Sequence, residues 1–220
     1  LQDSTIATRV MPLVTWMVAI LSISGYLVAD AIAGNQGPFL TAFALFVTSF
    51  NGFILSIILF FGVFFAAFIL AKTPVVNVVL ASLFAFICGG WMFGVIFSMA
   101  NEVNAMIVPT ALFLTTIIFI VMTATQYIFN INASNWGSML IIGLVVALIL
   151  TIFQFWIETP WINVVINLGV IVLFMGILIW DMYTIREKMD DDEWVRGALM
   201  FFVDFINILI RIIAIYLDLK

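Results

Sequence analysis

Two aspartates stand in apolar sequence near the C-terminus, Asp181 in ILIWDMYTIREK and Asp204 in FFVDFINILIRI. An ionised carboxylate inside a bilayer costs roughly 2.5–3.5 kcal/mol on insertion scales, so its presence asks for a function or a partner. The two residues lie on the last two apolar segments, which a short charged linker makes antiparallel neighbours. Two facing carboxylates cannot both ionise cheaply. They are expected to share a proton, to respond to pH as a pair, and to bind a cation when deprotonated. The chain has no histidine, so any pH sensing falls to carboxylates. The structural alternatives are an interfacial Asp181 paired with Arg186 or Lys72, and an Asp204 held in a buried ion pair. Asn207 and Arg211 follow Asp204 on nearly the same helical face. Arg211, seven residues on, is ~10 Å away at helical rise, too far for a direct pair. That face is too polar for lipid, so its helix must be enclosed by protein or line an aqueous path. Counting residues from the linker puts Asp181 up to ~8 Å nearer the surface than Asp204.

The elements that position these residues follow from composition. Apolar residues make up 66% of the 220 and charged residues 9%, against roughly 45–50% and 25% in soluble domains. The lipid bilayer is the expected partner. Seven segments are long enough to span it, near 9–33, 46–71, 74–98, 105–129, 136–157, 161–185 and 196–217, broken by AGNQGP, AKTP, ANEVNA, NINASN, IETP and REKMDDDEWV. The fold expected is an all-α integral membrane protein, one seven-helix domain over residues 1–220. The first segment is too long for a removable signal peptide. Arg9, Lys72, Arg186, Lys188 and Arg196 fall on one side and Lys220 on the other, which places the N-terminus in the cytoplasm and the C-terminus outside. Short loops favour a bacterial inner membrane over an organelle membrane.

The remaining motifs read as structure. No basic patch points to nucleic acid, and the net charge of −5 owes much to the local acidic run at 187–193. The DDDE stretch, 190–193, lacks EF-hand spacing and is expected to cap the last helix. Cys88 is alone. Gly90, Gly94 and Ser98 recur every four residues, as in close helix packing. Pro109, Thr115, Thr116, Thr123, Thr125 and Gln126 give the fourth segment unusual polarity, suited either to a cavity or to hydroxyls bonded to their own backbone. Asn132-Ala133-Ser134 matches a glycosylation acceptor but falls on the cytoplasmic side. The seven tryptophans read mostly as interfacial anchors. No haem site, nucleotide loop, catalytic triad or retinal-binding lysine is visible, so neither a cofactor nor an enzymatic activity is expected.

IWDMYTI, the charged linker and VDFINILIRI together resemble the transmembrane BAX inhibitor motif family, whose bacterial members include calcium leaks and a modulator of a membrane protease. RVMPLVTWMVAILSISGYLVA looks like that family's first helix and TPVVNVVLASLFAFICGG like its third. The resemblance implies six helices wrapped around a central seventh. It implies that Asp181 and Asp204 are the di-aspartyl pH sensor and ion gate, with calcium as the transported ion and a transient ligand of both. It also implies a basic partner for the sensor in the region of Lys72. The chain departs from the family in two places. Ala214 stands where members often have arginine, with Arg211 one turn earlier. Only Asn51 and Ser56 are polar where some members have a glutamate in the second helix. Three functions are therefore carried forward. They are a pH-gated passive calcium leak, a scaffold that modulates a membrane protease or a stress or cell-death pathway through a membrane-protein partner, and a proton-coupled cation exchanger.

Overall fold

The computed structural model describes residues 3–70, 72–157 and 159–219; Lys220, the one cation expected outside, lies beyond them. It is helical, with no strand among the described residues. Among the described residues, six helices are long and apolar enough to cross a membrane: α1 (Asp3–Ile32), α3 (Phe50–Ile69), α4 (Val75–Val103), α5 (Ile107–Phe129), α7 (Pro160–Lys188) and α8, which enters through a turn at Asp191–Glu193 and runs Trp194–Asp218. Two apolar helices are shorter, α2 (Pro38–Thr48, 11 residues) and α6 (Gly137–Phe153, 17 residues). Large apolar side chains such as Ile58, Phe61, Ile141 and Ile142 stay exposed, the surface expected of helices whose solvent is lipid.

Where helices begin and end follows from local sequence. Prolines open α2, α4 and α7, positions where the missing N–H would have no intrahelical partner. Ser49 separates α2 from α3: its extended backbone stops the first helix, and its Oγ accepts from the Gly52 N–H (3.1 Å) to cap the second. The second segment, expected near 46–71, therefore begins at Phe50, and the apolar residues before Ser49 belong to a separate short helix. Asn130, in the left-handed conformation at φ 45°, closes α5. The acidic run caps as expected, since Glu193 reaches back to the Asp190 N–H (3.4 Å).

The helices form two compact units. The first comprises α1 to α4 and the beginning of α8, through Phe202. Its core is aromatic, with Phe84 set 4.9 Å from Phe60, 5.5 Å from Phe64 and 6.0 Å from Phe202 between ring centroids. A π-helical turn over Cys88–Phe93 lies in α4. There Gly89, Gly94 and Gly25 bring α1 and α4 together: a methyl on Gly89 would meet the Leu21 backbone and Ser24 Oγ, and one on Gly94 would meet Val28 at 2.6 Å. Gly90, expected at this contact, has nothing within 4 Å of such a methyl. The π turn is the reason. Its i→i+5 bond from Gly94 N–H to Gly89 O puts Gly89, five residues before Gly94, on the shared face.

The second unit comprises α5, α6, α7 and the rest of α8 from Val203. α6 and α7 run antiparallel. Gly137 faces Trp180, Gly143 faces Leu173, and Gly176 faces Leu140. α7 and α8 are also antiparallel, with Asp181 beside Asp204 and Asn167 beside Asp218.

Candidate functional site

Asp181 lies seven residues before the end of α7, and Asp204 eleven residues into α8 counting Trp194 as the first. They are 5% and 2% exposed, and their carboxyl groups lie side by side, near enough to interact directly. The depth difference counted from the linker is absent at the carboxyl groups themselves. Two buried carboxyl groups this close cannot both ionise cheaply, which suits the pair to holding a single proton between them. The second Asp204 oxygen, Oδ2, is buried and unpartnered among the described residues.

The cations considered for this pair are engaged elsewhere. Arg186 donates from Nη1 to Asn130 Oδ1 (3.2 Å) and lies over the Tyr127 ring (5.6 Å). Lys72 pairs with Asp190 at 3.7 Å, both side chains largely exposed. Asn207 donates to the Val203 carbonyl one turn back (2.8 Å), which commits its amide to its own helix.

Arg211 builds a second polar cluster. Its Nη2 donates to Thr151 Oγ1 (2.8 Å), and its Nη1 to Asn167 Oδ1 (3.1 Å) and Gln154 Oε1 (3.4 Å). Asn167, itself buried, donates from Nδ2 to Asp218 Oδ2 (3.4 Å). Its amide therefore presents oxygen to a guanidinium and nitrogen to a carboxylate, bridging residues that stand seven apart on α8. Arg211 stands out in the sequence, whereas Thr151, Gln154, Asn167 and Asp218 do not. The available signal was Asn167 itself, a carboxamide in the apolar run WINVVINLGVIV.

On α5 the threonines divide. Thr115, Thr116 and Thr125 donate to their own helix at 2.7–2.8 Å. Thr123 Oγ1 does not, and it is buried without a partner, as are Gln126 Oε1 and, on α7, Thr184 Oγ1. No three His, Cys, Asp or Glu side chains come together among the described residues. An apolar cavity of about 710 Å³ in the first unit, between the Ser49 break and the π turn, has only Thr48, Ser49 and Ser56 as polar lining.

Long apolar helices with a buried carboxylate pair define a multi-pass helical membrane protein. Comparison with known proteins gives its family. The family model described as inhibitor of apoptosis-promoting Bax1 matches residues 6–219, and the chain belongs to the Bax inhibitor family. It is 33% identical over 114 residues to Bax inhibitor 1 of Schizosaccharomyces pombe, an alignment covering 51% of this chain and 42% of that protein. It is 26% identical over 163 residues to uncharacterised proteins of two Helicobacter pylori strains, covering 74% of this chain and 69% of each relative. The chain thus aligns to less than half the length of the yeast relative.

Proposed function

We propose that the protein is a passive, pH-gated calcium leak in which Asp181 and Asp204 form the gate. The observation that supports this reading most is the pair itself, two carboxyl groups buried side by side on adjacent helices. A structural ion pair would need a cation, and Arg186 is turned to Asn130 and Tyr127. The shared proton ties α7 to α8. Changing its occupancy breaks the tie, and the deprotonated pair offers hard oxygen ligands of the kind calcium takes. No covalent step is involved. In this reading α6 and the turn after it, 17 and 3 residues, form one further span of about 30 Å. That makes seven spans, with α8 enclosed by the others, the N-terminus in the cytoplasm and a bacterial inner membrane as the setting.

The test is calcium uptake into liposomes holding the purified protein, scanned from about pH 5 to 8, the range in which a shared carboxyl proton titrates. Wild type should give a pH-dependent flux and Asp204→Asn a flat profile. Flux absent at every pH from folded protein would overturn the leak. It would favour a scaffold acting through a membrane-protein partner, a reading to which the name of the yeast relative lends support. Calcium driven uphill by an imposed proton gradient would mark an exchanger.

A further inference from the structure

We infer that Thr123, Gln126 and Thr184 form a collar of neutral oxygens leading from the aspartate pair towards Arg186, which takes over part of the hydration shell of a calcium ion as it passes the gate. The inference rests on the leak reading and names further ligands of its site.

Register places the collar. Two contacts fix α5 against its neighbours in the second unit, the Phe119 ring 6.0 Å from that of Phe205 and the Asn130 carboxamide bonded to Arg186. Phe205 follows Asp204 in sequence, so the first contact lies at the level of the pair. Arg186 is five residues beyond Asp181, ~8 Å along α7. Thr123 and Gln126 fall between these contacts, four and seven residues after Phe119, on the helical face that Phe119 turns towards α8. Thr184 stands three residues after Asp181 on α7, on the same side of its helix.

Chemistry says what the collar holds. Gln126 is 1% exposed, and its Nε2 is spent on the Ile131 carbonyl (2.9 Å), leaving Oε1 without a donor. The hydroxyls of Thr123 and Thr184 forgo the backbone bond that threonine usually makes in a helix. A buried polar atom left unpaired costs several kcal/mol in hydrocarbon, so these oxygens must be met by water or an ion. Calcium takes 6–8 oxygens and accepts carbonyl and carboxamide ligands beside carboxylates. Two aspartates fall short of that number, and no third acidic side chain joins them among the described residues. Trp180 Nε1 is also buried and unpartnered, but as a donor it can hold only water.

The experiment is calcium titration of purified protein, followed by calorimetry, beside the liposome flux. Thr123→Val, Thr184→Val and Gln126→Leu remove one oxygen each at nearly constant volume. Thr116→Val, whose hydroxyl is bonded to Leu112, is the control, and Thr123→Ser should restore binding. Each collar variant is expected to weaken calcium binding about three- to tenfold, the range set by the loss of one buried polar contact, with the control unchanged. Collar variants that bind as wild type does, or wild type that binds no calcium, would overturn the collar. A wild-type flux with unaltered variants would overturn the collar and leave the leak standing. Weakened binding without any flux would do the reverse. Thermal melts confirm folding, and if one variant fails to fold the other two carry the test.

Discussion

Gly89→Ala and Gly90→Ala are adjacent, chemically identical substitutions for which the structure predicts opposite outcomes. Alanine is about 1 kcal/mol better than glycine in a helix interior. At Gly90 the new methyl meets nothing within 4 Å, so that gain is kept and stability should hold or rise by up to ~1 kcal/mol. At Gly89 the methyl is driven into the Leu21 carbonyl and lies 2.8 Å from the Leu21 Cα, with Ser24 Oγ also in its path. Backbone cannot turn aside as a side chain can, so α1 and α4 must separate. Overpacking of this kind costs typically 1–3 kcal/mol. After the propensity gain is subtracted, Gly89→Ala should lose up to ~2 kcal/mol. The two variants should then differ by about 2 kcal/mol, a factor of roughly 30 in the folding equilibrium. Reversible unfolding in mixed micelles, read by circular dichroism, measures the difference. Equal stability of the two would refute the assignment of Gly89 to the contact and, with it, the role given to the π turn in setting the helix phase.

Three other outcomes follow from the second unit and the linker. Asp181→Asn should flatten the pH profile of flux as Asp204→Asn does, and the double variant should match either single, because one shared proton can be removed only once; additive effects would argue against sharing. Asn167→Leu takes away the Arg211 acceptor and the Asp218 donor together and should cost about 1–2 kcal/mol in unfolding experiments, near the upper end measured for polar contacts inside membranes. It should leave the pH midpoint of flux in place, and a moved midpoint would tie the Arg211 cluster to the gate. Lys72→Ala breaks an ion pair whose side chains are 66% and 75% exposed. It should shift the melting temperature by no more than about 1–2 °C, as expected of a screened surface pair, and leave the pH profile unchanged; a shifted profile would restore Lys72 as the partner of the aspartates.

The aspartate pair was legible in the sequence because burial makes charge conspicuous: Asp181 and Asp204 stand out in ILIWDMYTIREK and FFVDFINILIRI whatever the tertiary arrangement. Helix ends were legible where they rest on local chemistry, as at Pro74, Pro160 and the capping Glu193. Three features were hidden for physical reasons. The π turn shifts helix phase without any sequence signal, so the four-residue spacing of Gly90, Gly94 and Ser98 pointed one residue away from the true contact at Gly89. The Ser49 break falls at TSFNG, a polar interruption too short to separate two spans on hydropathy, and the Ser49–Gly52 cap marks it. The Arg211 cluster joins residues 44 to 60 positions apart, a pairing that requires knowing which faces of α6 and α7 meet α8.

Polar residues of the second unit fall into three groups by what meets their hydrogen-bonding capacity, and the division carries the functional argument further than polarity alone. Thr115, Thr116, Thr125 and Asn207 are bonded to their own helices, which makes them nearly silent in a membrane. Arg211, Thr151, Gln154 and Asn167 bond to one another, and although Arg211 Nε stays unpaired, the guanidinium is anchored by three acceptors and behaves as a fastening between helices. Thr123, Thr184, Gln126 Oε1 and Asp204 Oδ2 have no such partner among the described residues, and the register brackets all four into the stretch between the aspartate pair and Arg186. Folding alone gives no reason to keep four unpaired acceptors together in hydrocarbon, since replacing each by an isosteric apolar group would be neutral or stabilising. Under the proposed leak, such oxygens near the two titratable carboxylates are what the path of a hydrated cation requires.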